Sequence, residues 1–276
     1  MRNIDELTLE ETSFEIFEKI INSKKEPTKS ILEWVKSDIK NCFYSYESNK
    51  SDLFPIMKKW YTDDTKDALI HTYEGDTVYT KQIKKNIKKI GNRKCPYCNI
   101  EPSVQVEHYI PKDDFPEFAF LINNLIPSCS TCNQKKWTKW RDDKTRLFLN
   151  AYYDDITSSN EQFLFTTLWL EWNIPCSKFT INTAHLNINP ILTEILKKHV
   201  DKLNLLNRYN EEIDYIFWEL ISNIQEIKAE WKISIEELKN IINHKWVWVI
   251  YGKNYRENIL YNEICNNDEI LKYLLQ

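Results

Sequence analysis

The first ninety residues carry apolar positions at helical spacing. Thr12 and Glu15 stand ahead of Phe17 and Ile21, with Phe14 between them. That is the pattern of a helix start in which each side chain caps the other's backbone. Pro27 ends that helix. The stretch "SILEWVKSDIKNCFYSY" predicts a second, with Ile31, Leu32, Val35 and Ile39 on one stripe. "DLFPIMKKWYTD" and the lysine-rich stretch beyond it predict further helices, and all of these stripes read as core faces. Past residue 90 the periodicity breaks, and prolines appear at 96, 102, 111, 116 and 127. "SVQVEHYI" alternates like a short strand, and "CNQKKWTKWRDDKTRLFLNAYY" reads as a helix. "EQFLFTTLWLEWNIPCSKFTIN" predicts a two-stranded unit. From Pro190 the chain turns helical, with Ile191, Ile195, Val200 and Leu203 on one stripe, then "EEIDYIFWELISNIQEI" and "SIEELKNIINHKWVWVIYG".

The expectation is an α+β chain, mostly helical, in three regions. Residues 1–90 are helical, 91–150 form a small cysteine-bearing core, and 151–276 hold a strand pair followed by helices. No repeat and no low-complexity linker sharpens the boundaries, and the regions can pack as one unit.

Composition removes several function classes. The chain has 276 residues but only three glycines, with no GxxxxGK[ST] and no GxGxxG, so nucleotide binding by those loops is excluded. The N-terminus is acidic and amphipathic and no apolar run reaches membrane-spanning length, so the expected location is cytoplasmic. A net charge of -4 does not suit a protein that coats nucleic acid. Any such site must be local. Lys81, Lys84, Lys85, Lys88, Lys89, Arg93 and Lys94 crowd a stretch without acidic residues, and a second basic run spans Lys135–Arg141. Charge alone leaves two readings of the first patch open, a solvated helix face or a surface that meets phosphates.

The cysteines change the picture most. Cys95-x2-Cys98 and Cys129-x2-Cys132 flank a stretch of thirty residues. Two such knuckles supply the four thiolates of a tetrahedral zinc site. A site closed by four thiolates is structural, so any chemistry belongs to other groups. The candidates are Glu107, His108, Lys112 and Asn124 within the loop, and Asn133, Lys135 and Lys136 just past it. Neighbours on a regular strand point to opposite faces, so Glu107 and His108 meet at one site only if the strand ends or bulges there. Pro111 is consistent with such an ending. Cys42, Cys176 and Cys265 lack ligand spacing and read as core, and His71, His185, His199 and His244 lack it too.

The order "CPYC … VEHYIPK … NNLIPSCSTCNQKK" resembles the HNH endonuclease family, with its ββα-metal fold. The resemblance covers about residues 92–140, and it departs from the usual pattern in having Glu107 where an Asp is common. It implies that His108 is the general base and that Glu107 and Asn133 hold a catalytic Mg²⁺ or Mn²⁺. It further implies that Asn124 braces the site and that the four cysteines hold structural zinc. Lys112, Lys135 and Lys136 then face the substrate. The flanks are similar to those of bacterial HNH proteins of comparable length associated with defence against phage or plasmids. Three readings follow: a metal-dependent nuclease acting on DNA, with RNA as the alternative substrate; a zinc-stapled nucleic-acid-binding module without catalysis; and a sensor whose flanks meet a partner protein such as an ATPase.

Overall fold

The computed structural model describes residues 3–75, 77–90, 94–156, 161–230, 232–244 and 253–276. They fall into two compact units. One runs to Ile156 and also takes in Glu194–Leu203; the other holds Thr157–Thr193 and Asn204–Gln276.

The first unit opens with α1 (Ser13–Asn22). Its N-terminus is the reciprocal cap expected from the sequence: Glu15 N donates to Thr12 Oγ1 at 3.2 Å, and Thr12 N donates to Glu15 Oε2 at 2.7 Å. After Pro27, α2 (Thr28–Ser48) buries Leu32, Val35, Ile39, Phe43 and Tyr46. Side-chain oxygens of Thr62 and Thr77 cap α3 (Asp63–Glu74) and α4 (Val78–Lys89). The hairpin of β1 (Gln105–His108) and β2 (Leu125–Ser128) is antiparallel, pairing Gln105 with Ser128 and His108 with Leu125. Helix α4 packs on both strands with Ile83 and Ile87 buried, and α5 (Ser130–Lys136) packs on β1. The hairpin thus carries α4 and α5 within one unit.

Two expected helices do not form as read. Residues 52–62 are irregular. Asp52 Oδ1 accepts from Phe54 N at 3.2 Å, Pro55 follows, and the Arg141 guanidinium takes the carbonyls of Phe54 and Ile56. Those carbonyls are spent on a side chain rather than on a helix ladder. The helix from Cys132 stops at Lys136, where Trp137 adopts φ 47° and ψ -132°. Beyond it, Asp142 Oδ1 accepts from Lys144 N and Thr145 N, and Leu147, Phe148 and Leu149 are buried in a loop. Local side-chain bonds have displaced the helix that the apolar spacing suggested.

In the second unit, β3 (Leu164–Glu171) and β4 (Ile174–Ile181) form the expected pair. They turn at Trp172–Asn173, both at positive φ, which matches the right-handed twist of a two-residue hairpin. Helix α6 (Pro190–Lys202) begins in this unit and ends in the other. Ile195, Val200 and Leu203 are buried as the stripe predicts, but Ile191 is 53% exposed, because the first turn lies outside the packed face. Then come α7 (Leu205–Glu211), α8 (Ile213–Glu230), α9 (Ile235–His244), α10 (Arg256–Asn266) and α11 (Asp268–Leu274). Their core gathers Phe217, Leu220, Ile224, Leu238, Ile242, Leu260 and Ile264 around Leu168 of β3. The expected helical run beyond His244, the His244 side chain and the Arg93 of the basic patch lie outside the described residues. Among the described residues, no helix is long and apolar enough to cross a membrane.

Candidate active site

The four cysteines converge. Their sulfurs lie within 4.8 Å of one another, and all four side chains are buried. Cys98 Sγ and Cys129 Sγ are 3.8 Å apart. Four sulfurs at about 2.3 Å from one zinc ion sit about 3.8 Å from each other, so the cluster fits that ion. Ile100 N points at Cys98 Sγ and Cys132 N at Cys129 Sγ, each at 3.4 Å, which favours the thiolate form. Asn99, at φ 55°, makes the sharp turn of the first knuckle. It is the one metal-type cluster of His, Cys, Asp and Glu found among the described residues. Cys42 and Cys265 are buried alone, and Cys176 is half-buried.

His108 and Glu107 end β1 and point to different surroundings. His108 is 7% exposed and packs edge-on to Tyr73 of α3, with ring centroids 4.4 Å apart. Its Nε2 lies 2.9 Å from the Ala119 carbonyl. A carbonyl only accepts, so Nε2 carries the proton and Nδ1 is the free base. Burial, with Lys112 and Lys136 nearby, pushes the imidazole down to about 3, so the ring is neutral at physiological pH.

Glu107 faces α5. Its Oε1 accepts from Lys136 Nζ at 2.6 Å, and the same ammonium donates to the His108 carbonyl at 2.8 Å. Burial pushes the Glu107 carboxyl up and the Lys136 ammonium down, and each partner pulls the other back toward the ion pair. One turn earlier on α5, Asn133 Nδ2 donates to Gln105, two residues before Glu107 on the same strand face. Glu107 Oε2 and Asn133 Oδ1 accept no protein hydrogen bond among the described residues. A carboxylate oxygen and an amide oxygen, each oriented through its other atom, are the hard donors that a Mg²⁺- or Mn²⁺-type ion takes, with water completing its shell. The residues present therefore fit such an ion.

Asn124 is fully buried and closes the loop between the strands. Its Oδ1 accepts from Ile110 N at 2.8 Å; its Nδ2 donates to Ile110 O at 2.9 Å and Phe118 O at 3.2 Å. The position of Ala119, and so of His108, depends on that clamp.

The basic residues divide by position. Lys135 and Lys139 are exposed, as are Lys81, Lys85, Lys88 and Lys89 on α4. Lys136, expected to meet substrate, has no exposed surface, because its ammonium is drawn inward by Glu107; that expectation is corrected. Lys112 is tied to Glu74 and Asp113, each at 3.0 Å, and Arg141 to the carbonyls of Phe54 and Ile56. Lys84 stands 4.1 Å over the Tyr73 ring that covers His108.

Two supports had no signal in the sequence. His199 accepts from Leu149 N at Nδ1 (3.1 Å) and donates from Nε2 to Tyr97 O (2.9 Å), bracing the first zinc knuckle. Nothing near position 199 marks it, since both partners are main-chain atoms distant in sequence. Tyr73 was legible only as one more residue on a helix.

A zinc-type staple closing a strand hairpin that ends in Glu-His, followed by a helix bearing Asn, is the arrangement of HNH endonucleases. Residues 95–139 match the family model described as HNH endonuclease, so the chain carries an HNH domain in that segment. Among curated proteins, the chain is 36% identical over 119 residues to Septu protein PtuB of Bacillus thuringiensis, covering 41% of this chain and 44% of the relative. It is 31% identical over 77 residues to Protein ea31 of Escherichia phage lambda, covering 27% of this chain and 26% of the relative. The chain thus matches less than half the length of either relative. No solved structure matches.

Proposed function

We propose that this chain is a metal-dependent HNH nuclease that hydrolyses phosphodiester bonds in DNA as part of bacterial defence against phage or plasmids. The observation that carries the reading is the imidazole of His108. Ala119 fixes its tautomer so that Nδ1 is an unprotonated base, at the strand end beside Glu107 and inside the matched HNH segment. The similarity to a Septu protein supports the defence role.

In this reading Nδ1 of His108 takes the proton of the attacking water while the Ala119 carbonyl stabilises the imidazolium that results. A divalent ion on Glu107 Oε2 and Asn133 Oδ1 would supply charge neutralisation at the phosphoryl and leaving oxygens. Lys136 and Gln105 orient those two ligands, and the exposed Lys135 and Lys139 draw the phosphate backbone toward the site. The zinc cluster holds the ends of the intervening loop and takes no part in the chemistry.

The test is nicking of supercoiled plasmid by the whole chain with Mg²⁺ or Mn²⁺, beside EDTA and a single-stranded RNA substrate. Cleavage that requires the ion, prefers DNA and falls at least about a hundredfold in His108→Ala supports the reading. Cleavage that persists in His108→Ala sinks it. The burial of His108 beneath Tyr73 favours one other reading, a nucleic-acid-binding module without hydrolysis. Tight DNA binding with no turnover under either ion would establish that one.

A further inference from the structure

A groove of about 710 Å³ lies in the first unit. The N-terminal segment, α1, α2 and the loop 121–123 line it. Its charged lining residues are Glu6, Glu11, Glu15, Glu18 and Glu47, against the single Lys40. Lys19 and Lys36, which do not line it, offset two of these through Glu11 (2.6 Å) and Glu18 (3.4 Å). Among the described residues, the other three meet no cation in an ion pair. Glu15 caps Thr12, Glu47 accepts from Asn123 Nδ2 at 2.7 Å, and Glu6 Oε1 is buried with no hydrogen-bond partner. Lys40 lies over the Phe14 ring. The apolar lining includes Phe14, Phe43 and Tyr44, the last 62% exposed.

One wall is unpaired main chain. Ile4 N is bonded to Ala151 O, but among the described residues 5–11 make no backbone-to-backbone hydrogen bond. A segment without regular secondary structure, whose N–H and C=O groups meet no other main chain among the described residues, beside acidic and aromatic side chains, matches one kind of guest. The guest is an extended segment with Lys or Arg on alternate positions and apolar residues between them. Its main chain pairs with residues 5–11, its cations meet the glutamates, and its apolar side chains cover Phe14, Phe43 and Tyr44. A nucleic acid is repelled by the same carboxylates.

We propose that this groove docks a basic amphipathic segment of a partner protein by strand addition. The consequence lies in the loop it touches. Leu121–Asn123 line the groove; Ile122 N donates to Ser13 Oγ at 3.3 Å; and Ala119, just before them, holds His108. A docked segment therefore bears on the loop that sets the imidazole.

The test uses the whole chain and fluorescein-labelled peptides of about ten residues, one alternating Leu and Lys, one alternating Leu and Glu. Fluorescence anisotropy at about 50 mM and about 300 mM salt is expected to show binding of the Lys peptide only, weakened by salt. Glu11→Lys with Glu18→Lys is expected to weaken it roughly tenfold, and Glu6→Gln serves as a milder second variant. Circular dichroism and zinc content confirm that both variants fold. Hydrogen exchange is expected to show protection at residues 5–13 and 119–124. The proposal is overturned if the Glu peptide binds equally, if charge reversal in a folded variant changes nothing, or if protection maps elsewhere. It is also overturned if sedimentation shows a dimer that the reversal dissolves, since the guest is then a second copy. None of these readouts depends on cleavage, so they fail or succeed apart from the nuclease reading.

Discussion

The Lys136 ammonium lies 2.6 Å from Glu107 Oε1 and 2.8 Å from the His108 carbonyl, so one buried cation ties both residues at the end of β1 to the last turn of α5. Lys136→Met strands the Glu107 carboxylate in a site 7% exposed. The expected cost is about 3 kcal/mol, read from urea midpoints, because the buried carboxylate loses its hydrogen-bonded cation and keeps only the weaker attraction of Lys112. Adding Glu107→Gln to the variant removes that charge and is expected to recover part of the loss. A double variant as unstable as the sum of the singles would show that the two side chains do not act as a pair.

The zinc cluster is expected to be a condition of folding for its unit. Cys132→Ser leaves three thiolates and a sulfur-to-oxygen mismatch. Metal analysis is expected to fall from about one zinc per chain to a small fraction, with loss of the cooperative thermal transition of that unit. Full zinc retention with an unchanged transition contradicts the assignment. EDTA at room temperature is expected to strip a Mg²⁺-type ion while leaving the thiolate cluster loaded.

His199 gives the unit an acid sensitivity with a defined window. Burial pushes its pKa down to about 4 from 6.5, and the ring is kept neutral between Leu149 N and Tyr97 O. The unfolded chain takes up a proton on this residue as pH falls below about 6.5, and the folded chain does not until about 4. Stability from this group is therefore complete above 6.5, erodes as pH falls to 4, and is level below that. The total is about 3 kcal/mol at about 1.4 kcal/mol per unit. His108 erodes stability in the same direction. Glu117, pushed up to about 7 by burial, acts oppositely as pH rises. The difference between wild type and His199→Gln isolates the term. Gln can still donate and accept, and urea midpoints of the variant are expected to be flatter across pH 4–6.5. Parallel curves refute the assignment.

The loop after α5 is held by a second buried pair. Arg146 meets both oxygens of Asp154 at 2.7 and 2.8 Å, and Asp154 Oδ2 also accepts from Asn150 N. Arg146→Met is expected to cost about 3 kcal/mol, measured by chemical denaturation. It should also speed hydrogen exchange at residues 147–154. A loss below about 0.5 kcal/mol would mean that the loop core of Leu147, Phe148 and Leu149 suffices alone.

Sequence pattern reached the parts built from local rules. The Thr12–Glu15 cap, the α2 stripe, the β3–β4 pair and the two cysteine knuckles all follow from spacing and were readable. It failed where a side chain distant in sequence redirected the backbone, as Arg141 does at Phe54 and Ile56. It also failed where a charge was drawn inward. Lys136 sits in a run of basic residues that looks like a phosphate-facing surface, yet only Lys135 of the adjacent pair faces out. One residue of helix rotation, about 100°, separates a surface lysine from a buried one, and the text of the sequence does not record which is which.

The cysteine-bearing unit is not contiguous. Its zinc knuckle is braced by His199, and residues 194–203 return to it only after 157–193 have gone to the other unit. On the ribosome, then, the hairpin, the cysteines and the Glu-His pair all emerge well before the segment that completes their support. The brace on the first knuckle is therefore completed only after synthesis has passed His199, which sets an order in which the parts of this unit become available.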